Sequence, residues 1–228
     1  MTPILGLQTC PALGTREPDE AHLTLPADWD GNPFSLLPDD YVLSAEETDL
    51  AERYRSNDLS GGYIRSQIAA FRAPTPAEHH DRRKRQFAEL MEELDGSRFV
   101  LPDSFIRLCN EDSIVNRLRH NNIWLDPLPL VVVLPNVERC LAVQIFYEGQ
   151  GCCYFSLLLC DDGDHRVLYH EDEIVVPYPL PVRVSARLDR VAFFICATSF
   201  DEWLAYYFVD CKHHDENYEK MLARYPAL

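Results

Sequence analysis

Cysteine and histidine side chains cluster at two places in this chain of 228 residues and could bind a metal ion. One is the pair Cys152-Cys153, and the other is CKHH, which holds Cys211, His213 and His214. Structural zinc sites usually include a C-x-x-C pair, and this sequence has none. Adjacent cysteines on a strand point to opposite faces, which favours buried small side chains over a shared ligand set. We therefore predict no metal and no cofactor, with a Cys/His metal site as an alternative.

Catalytic motifs are missing from the sequence. It has no G-x-S-x-G elbow, no Walker loop and no H-E-x-x-H motif. Gly149-Gln150-Gly151 begins like a dinucleotide fingerprint, but Tyr154 stands at the third glycine position, so we interpret it as a turn. A cysteine hydrolase needs a nucleophile, a histidine and a carboxylate together, and no spacing here brings them together. We predict a protein that is not an enzyme, with an enzyme as the less favoured alternative.

Acidic residues dominate the charged side chains and give a formal net charge of -16. This charge argues against nonspecific binding to nucleic acid or to an anionic membrane, and it leaves a basic protein as a possible partner. The acidic loop DDGDH (161–165) has the wrong ligand spacing for a calcium loop. We predict a solvent-exposed hairpin turn there instead.

The first residues, MTPILGLQTCPALGT, lack a basic segment followed by a long apolar one, so they do not resemble a signal peptide. No apolar run approaches the ~18 residues needed to span a bilayer. We therefore expect a cytoplasmic protein whose eight cysteines are thiols.

Residues 1–75 are rich in proline and predict an irregular extension with two short helices, packed on the rest of the chain. Ser44 and Glu47 form a capping box before AEETDLAERYR, which predicts the first helix. The second helix is predicted over YIRSQIAAF, after two glycines.

A longer helix is predicted from Thr75 as its cap, through Pro76 in the first turn, to Gly96 at its end. We interpret the basic run RRKR (82–85) as a solvated face of this helix. Its apolar stripe comprises Phe87, Leu90, Met91 and Leu94.

Beyond this helix, LPDSFIRLCNEDSIVNRL predicts two short helices, the first beginning at Pro102, with Phe105, Leu108 and Cys109 facing inward. The hydrophobic period then changes. The runs LPLVVVLP, CLAVQIFY, CCYFSLLL and HRVLYH are short and separated by turn signals, which predicts an antiparallel meander. The run VRVSARLDRVAFFICA fits either a strand or a helix.

A strongly marked helix follows in TSFDEWLAYYFVD (198–210). Ser199 and Glu202 have the spacing of a capping box. The apolar side chains recur at helical spacing, so we predict that this helix anchors against the sheet. They are Phe200, Trp203, Leu204, Tyr207 and Phe208.

These segments, taken in order over about residues 80–212, resemble the SUKH superfamily, which includes fungal Smi/Knr cell-wall regulators and bacterial immunity proteins. Leu101-Pro102 matches the family's opening helix signal. Gln150-Gly151 and Gly163 match its central hairpins, and the stretch from Ser199 to Leu204 matches its closing helix. Residues 1–75 have no counterpart in the family.

The resemblance implies an α+β fold, with a central, mostly antiparallel sheet packed against helices over residues 76–228. It implies binding of a protein partner, and for bacterial members the neutralisation of a toxin, commonly a nuclease. Because nucleases are frequently basic, the acidic charge fits such a partner. A regulator or scaffold without a toxin partner is the alternative. We place the predicted binding surface on two acidic loops, at Asp161, Asp162, Asp164, Glu171, Asp172 and Glu173.

Overall fold

The computed structural model describes residues 24–58, 62–118, 140–148, 154–170 and 194–224, with short strands at 8–9, 123–125, 131–133 and 183–185. The helices in these residues are α1 (Ala45–Arg55), α2 (Tyr63–Arg72), α3 (Ala77–Leu94), α4 (Asp103–Asn110), α5 (Asp112–Val115), α6 (Phe200–Arg224) and a 3-10 helix (Pro33–Leu36). The strands are β1 (Gln8–Thr9), β2 (Ile123–Leu125), β3 (Val131–Val133), β4 (Cys140–Glu148), β5 (Tyr154–Cys160), β6 (His165–His170), β7 (Arg183–Ser185) and β8 (Phe194–Ala197). The predicted α+β class is confirmed.

The strands form one sheet in the order β1-β8-β6-β5-β4-β3-β7, and β2 also pairs with β4. Strands β3, β4, β5 and β6 pair consecutively and antiparallel, as predicted from the four runs. The two outermost pairs, β1 with β8 and β3 with β7, are parallel, so the sheet is mostly antiparallel. The run VRVSARLDRVAFFICA, which fitted either a strand or a helix, contains two strands, β7 and β8.

A β-bulge in β4 directs an extra side chain into the core. Gln144 pairs with Ser156, but Phe146 pairs with Phe155, so Ile145 has no partner of its own on β5. An extra residue on one strand shifts the alternation of side chains between the two faces. Ile145 and Phe146 therefore both join the apolar core, although they are adjacent in sequence.

The first half of α6 is the predicted anchor against this sheet. Trp203 is 1% exposed, and its ring centroid lies 4.8 Å from that of Phe146 and 5.3 Å from that of Phe155. Ser199 caps the helix by accepting a hydrogen bond from the Glu202 N–H. The Glu202 carboxylate accepts hydrogen bonds from the N–H and the hydroxyl of Thr198. The predicted capping box paired this carboxylate with Ser199, the next residue. All five predicted core residues of α6 are buried.

Helices α3 and α4 complete this core through the three predicted inward residues of α4 and most of the predicted stripe of α3. Met91 is the exception, because it is 43% exposed.

The predicted cap of α3 at Thr75 is wrong. The Thr75 N–H instead donates to the side chain of Asn116, and no side chain caps α3. Gly96 has the expected left-handed backbone after the helix end.

The basic run in α3 is not simply a solvated face, because Arg83 points inward and is buried. Its guanidinium donates to the Cys109 carbonyl at 3.0 Å and to the Asp112 carboxylate at 2.5 Å. A buried charge is stable only with hydrogen-bonding or oppositely charged partners. These two partners of Arg83 lie 26 and 29 positions away in the chain. Arg83 therefore joins α3 to α4 and α5.

The proline-rich region contacts the core at several points. Phe34, in the 3-10 helix, lies 6.1 Å from Phe208 of α6 between ring centroids, and Leu37 is part of the main core. Arg117 donates to the backbone carbonyls of Leu37 and Pro38. Residues 34–38 of this region are thus packed against α6 and the segment that follows α5.

Helices α1 and α2 pair around a small apolar cluster of their own, made by Leu50, Ala51 and Ala69. The predicted box on α1 is confirmed, because the Ser44 hydroxyl and the Glu47 carboxylate each accept the other residue's N–H. Arg72 at the end of α2 connects this helical pair to α6. None of the helices in the described residues combines the length and apolar character needed to cross a membrane.

Candidate protein-binding surface

The predicted acidic turn joins β5 to β6 and has a well-defined backbone. The Asp164 carbonyl accepts from the Cys160 N–H at 2.8 Å, and the Cys160 carbonyl accepts from the Gly163 N–H at 3.1 Å. Gly163 has φ +88°, a left-handed conformation that costs glycine little. The Asp162 carboxylate accepts from the Asp164 N–H. The turn is therefore tight, and its carboxylates have fixed backbone positions.

The three predicted residues of this turn have different surroundings. Asp162 and Asp164 are exposed, whereas the Asp161 side chain is 9% exposed and lies 2.9 Å from the Arg98 guanidinium. Asp164 lies 3.4 Å from Arg166 on the same hairpin. Asp161 therefore positions a neighbouring segment, and the outer surface of the turn belongs to Asp162 and Asp164. The other three predicted residues, Glu171, Asp172 and Glu173, lie outside the described residues.

The Arg98–Asp161 ion pair brings the α3–α4 loop beside the turn. Val100 in this loop is 66% exposed, and the Arg98 guanidinium lies over the ring of Phe99 at 5.6 Å from its centroid. Exposed carboxylates stand at both ends of the loop, on Asp95 and on Asp103. We call this surface the acidic end; it comprises Asp95, Arg98, Phe99, Val100, Asp103, Asp162 and Asp164.

The acidic end combines the exposed side chain of Val100 with four exposed carboxylates, whereas Phe99 is partly buried against the main core. A surface of this kind suits contact with another protein, since interfaces typically have an apolar core and a polar rim. Sequence reasoning found Asp162 and Asp164 but missed the loop. No local pattern indicates its role, because its ion pair joins residues 63 positions apart (161 minus 98).

The polar group most like a catalytic site lies elsewhere, between α3 and α5. His80 faces Asn116 at 3.0 Å through Nε2, and its Nδ1 lies 3.2 Å from Asp112. A thiol beside this group belongs to Cys109, whose backbone carbonyl binds Arg83. Burial raises the pKa of that thiol far above its usual value, so it is not an available nucleophile. This group holds helices together rather than assembling a triad.

Cys211 and His213, the described members of the predicted CKHH cluster, do not converge on one site either. Cys211 is buried in the main core, where burial raises the pKa of its thiol well above its usual value, whereas His213 is exposed. Positions two apart on a helix point in different directions. Within the described residues, no three potential ligands among His, Cys, Asp and Glu come together. The side chains of Cys152, Cys153 and His214 lie outside those residues.

Comparison with protein-family models, with curated proteins and with solved structures finds no significant match. The SUKH resemblance therefore stays a prediction from the sequence. The acidic end is a described surface whose chemistry agrees with the expected kind of partner.

Proposed function

We propose that this chain is a non-enzymatic, cytoplasmic protein-binding module that docks a basic protein through its acidic end. Its most specific form is an immunity protein that neutralises a cognate nuclease-type toxin, as the SUKH resemblance implies. The observation that carries the proposal is the exposed Val100 between carboxylates, on a protein with a net charge of -16.

The carboxylates and Val100 act at different stages of binding. Long-range attraction between the acidic end and a basic partner raises the association rate, and salt screens it. Val100 and the uncovered part of Phe99 supply apolar area that is removed from water on contact. The ion pair of Asp161 with Arg98 holds the two segments side by side, so the surface exists before the partner arrives.

The other three carboxylates of the predicted binding surface belong to Glu171, Asp172 and Glu173, which follow β6 in the sequence and lie outside the described residues. The acidic turn precedes β6 and these residues follow it, so the six residues of the strand separate the two acidic segments in the sequence. A basic partner would gain further attraction from them.

The test begins with capture of partners from the native host, with elution by rising salt and identification by mass spectrometry. The captured protein is then purified, and its association rate is measured against a variant in which Asp95, Asp103, Asp162 and Asp164 are changed to Asn. The matched control changes Asp28, Asp39, Glu52 and Asp81 to their amides, which alters the net charge equally at exposed positions elsewhere.

We expect the acidic-end variant to associate about tenfold more slowly at low salt and the control less than about twofold more slowly. A second variant, with Glu171, Asp172 and Glu173 neutralised, measures the contribution of the segment that follows β6. Equal losses in the acidic-end and control variants would show that only net charge matters and would refute the surface. A chain that captures only copies of itself would favour the scaffold alternative.

A further inference from the structure

Two cysteines face each other on neighbouring strands beside the acidic turn. Cys140 begins β4, Cys160 ends β5, and the two are direct partners in the antiparallel ladder. Their sulfur atoms lie 3.0 Å apart, and both are free thiols that are only partly buried. The other described cysteines differ, because Cys109 and Cys211 are buried and Cys196 donates to the Val167 carbonyl.

The backbone around this pair has the geometry that a cross-strand disulfide requires. The N–H and carbonyl of Cys160 are both bonded on the β6 side, to Asp164 and Gly163. In an antiparallel sheet the N–H and the carbonyl of one residue point to the same neighbouring strand. Those of Cys160 point away from β4, so Cys140 and Cys160 form a non-hydrogen-bonded pair. In such pairs the Cα atoms are about 4.5 Å apart, which is within the range of about 4.4–6.8 Å found in disulfides. The sulfurs need to approach by only about 1 Å to reach bonding distance.

We propose that Cys140 and Cys160 are a redox modification site, which forms a reversible intramolecular disulfide by exchange with a small disulfide such as glutathione disulfide. The Cys140 thiolate attacks one sulfur of glutathione disulfide, forms a mixed disulfide and releases one glutathione thiolate. The Cys160 thiolate then attacks the Cys140 sulfur and releases the second. The two protein thiols lose two protons and two electrons, and the oxidant is reduced to two molecules of glutathione.

The order of attack follows from the surroundings of Cys160. Burial, the hydrogen bond and charge of Cys140, and the carboxylates of Asp162 and Asp164 raise the pKa of the Cys160 thiol to about 12. Its thiolate is therefore scarce at neutral pH, and only thiolates attack disulfides. We assign the first attack to Cys140 and the second, intramolecular attack to Cys160, where the short distance compensates for the scarcity.

The disulfide would tie the start of β4 to the residue just before the acidic turn. In a reducing compartment the dithiol is the resting form, and an oxidising shift closes the bond. Closure restricts the unfolded chain, so we expect the oxidised form to melt about 5–10 °C higher than the reduced form. This inference does not depend on the proposed partner.

The experiment incubates the reduced full-length protein with glutathione buffers of increasing oxidised fraction, blocks the remaining thiols by alkylation and maps the peptides by mass spectrometry. We expect a link between the peptides that contain Cys140 and Cys160, its reversal by dithiothreitol and the higher melting temperature. Cys160→Ser should retain glutathione on Cys140, because the second attack is removed. Cys140→Ser should form no link, and the matched control Cys196→Ser should behave like the wild type.

Two results would overturn the proposal. One is a wild-type protein that keeps glutathione on Cys140 without forming the link. The other is a link that persists in Cys140→Ser or disappears in Cys196→Ser, since either would assign the disulfide to other cysteines.

Discussion

The two halves of α6 hold the molecule together by different means. From Phe200 to Cys211 the helix is anchored by large apolar side chains against the sheet and α4. Beyond Cys211 it is polar, and it meets the α1–α2 pair through Arg72, which is 4% exposed. The Arg72 guanidinium lies 2.6 Å from Glu219 and 3.7 Å from Asp215.

This difference indicates unequal stability along the chain. Burial of one large apolar side chain contributes about 1.5–3 kcal/mol, and the first half of α6 buries several. The α1–α2 pair has a small apolar cluster of its own, and the Glu219 carboxylate that binds Arg72 is 60% exposed. An exposed partner makes an ion pair weaker. We therefore expect the α1–α2 pair to open before the sheet and the first half of α6.

Trp203→Ala should have the largest effect, because it removes the ring at the centre of the anchored half. The loss of packing and the cavity should lower the free energy of unfolding by about 3–5 kcal/mol in urea denaturation. Trp29→Ala is the matched control, since Trp29 lies in a loop and donates to the Asn32 carbonyl at an exposed position. Similar losses in both variants would contradict the comparison.

Arg72→Ala should weaken the contact between the α1–α2 pair and the polar half of α6, and leave the anchored half unchanged. Loss of its charged hydrogen bond should lower the opening free energy of α1 and α2 by about 1–2 kcal/mol, because the partner Glu219 stays hydrated. Hydrogen exchange should accelerate in these two helices and stay constant in β5. Arg65→Ala is the control. Arg65 also lies on α2, but its side chain is exposed, and its guanidinium lies 3.6 Å from the Glu46 carboxylate, farther than Arg72 lies from Glu219. Unchanged exchange in α1 and α2 would disprove this connection.

The same cap chemistry occurs in both regions and allows a direct comparison. Ser44→Ala and Ser199→Ala each remove a hydroxyl that accepts a backbone N–H at the start of a helix, at a cost of about 1 kcal/mol. We expect Ser44→Ala to accelerate exchange only in α1 and α2, and Ser199→Ala to lower the global free energy of unfolding. Equal global losses would mean that the two regions unfold as one unit.

The smallest effect is expected at Asp112, which binds Arg83 and Lys84 beside the core. Burial acts to raise the pKa of the Asp112 carboxyl, but the hydrogen bond from Lys84 and the electrostatic contributions of His80, Lys84 and Arg83 outweigh it and lower that pKa. A lowered pKa in the folded state stabilises the protein above the unfolded value of about 4, and this contribution is lost as the pH falls through the folded value.

Asp112→Asn should therefore lower the free energy of unfolding at pH 7 by about 1 kcal/mol or less, since solvent screens the half-exposed carboxylate. The difference from the wild type should shrink as the pH falls below about 4. Urea denaturation across this range measures it. A difference that grows with acidity would contradict the sign of the pKa shift.

The candidate surface was only partly predictable from the sequence. Asp162 and Asp164 follow from a turn signal between two strands, and both are exposed as expected. Asp161 looks the same in sequence, but it is covered by Arg98 from a loop far away in the chain. Val100 gave no signal, because the exposure of one apolar residue depends on what the rest of the fold leaves uncovered.

The sequence by itself determined the features that depend on neighbouring residues: the capping box of α1, the apolar face of the first half of α6 and the β4–β5–β6 meander. Their causes are local, since helix caps, side-chain periodicity and turns act within a few residues. Only the tertiary structure decided the inward orientation of Arg83, the exposure of Met91, the contact of Arg72 with α6 and the approach of Cys140 to Cys160. Each of these depends on elements that meet through folding, and a local hydrophobic or charge pattern carries no information about that meeting.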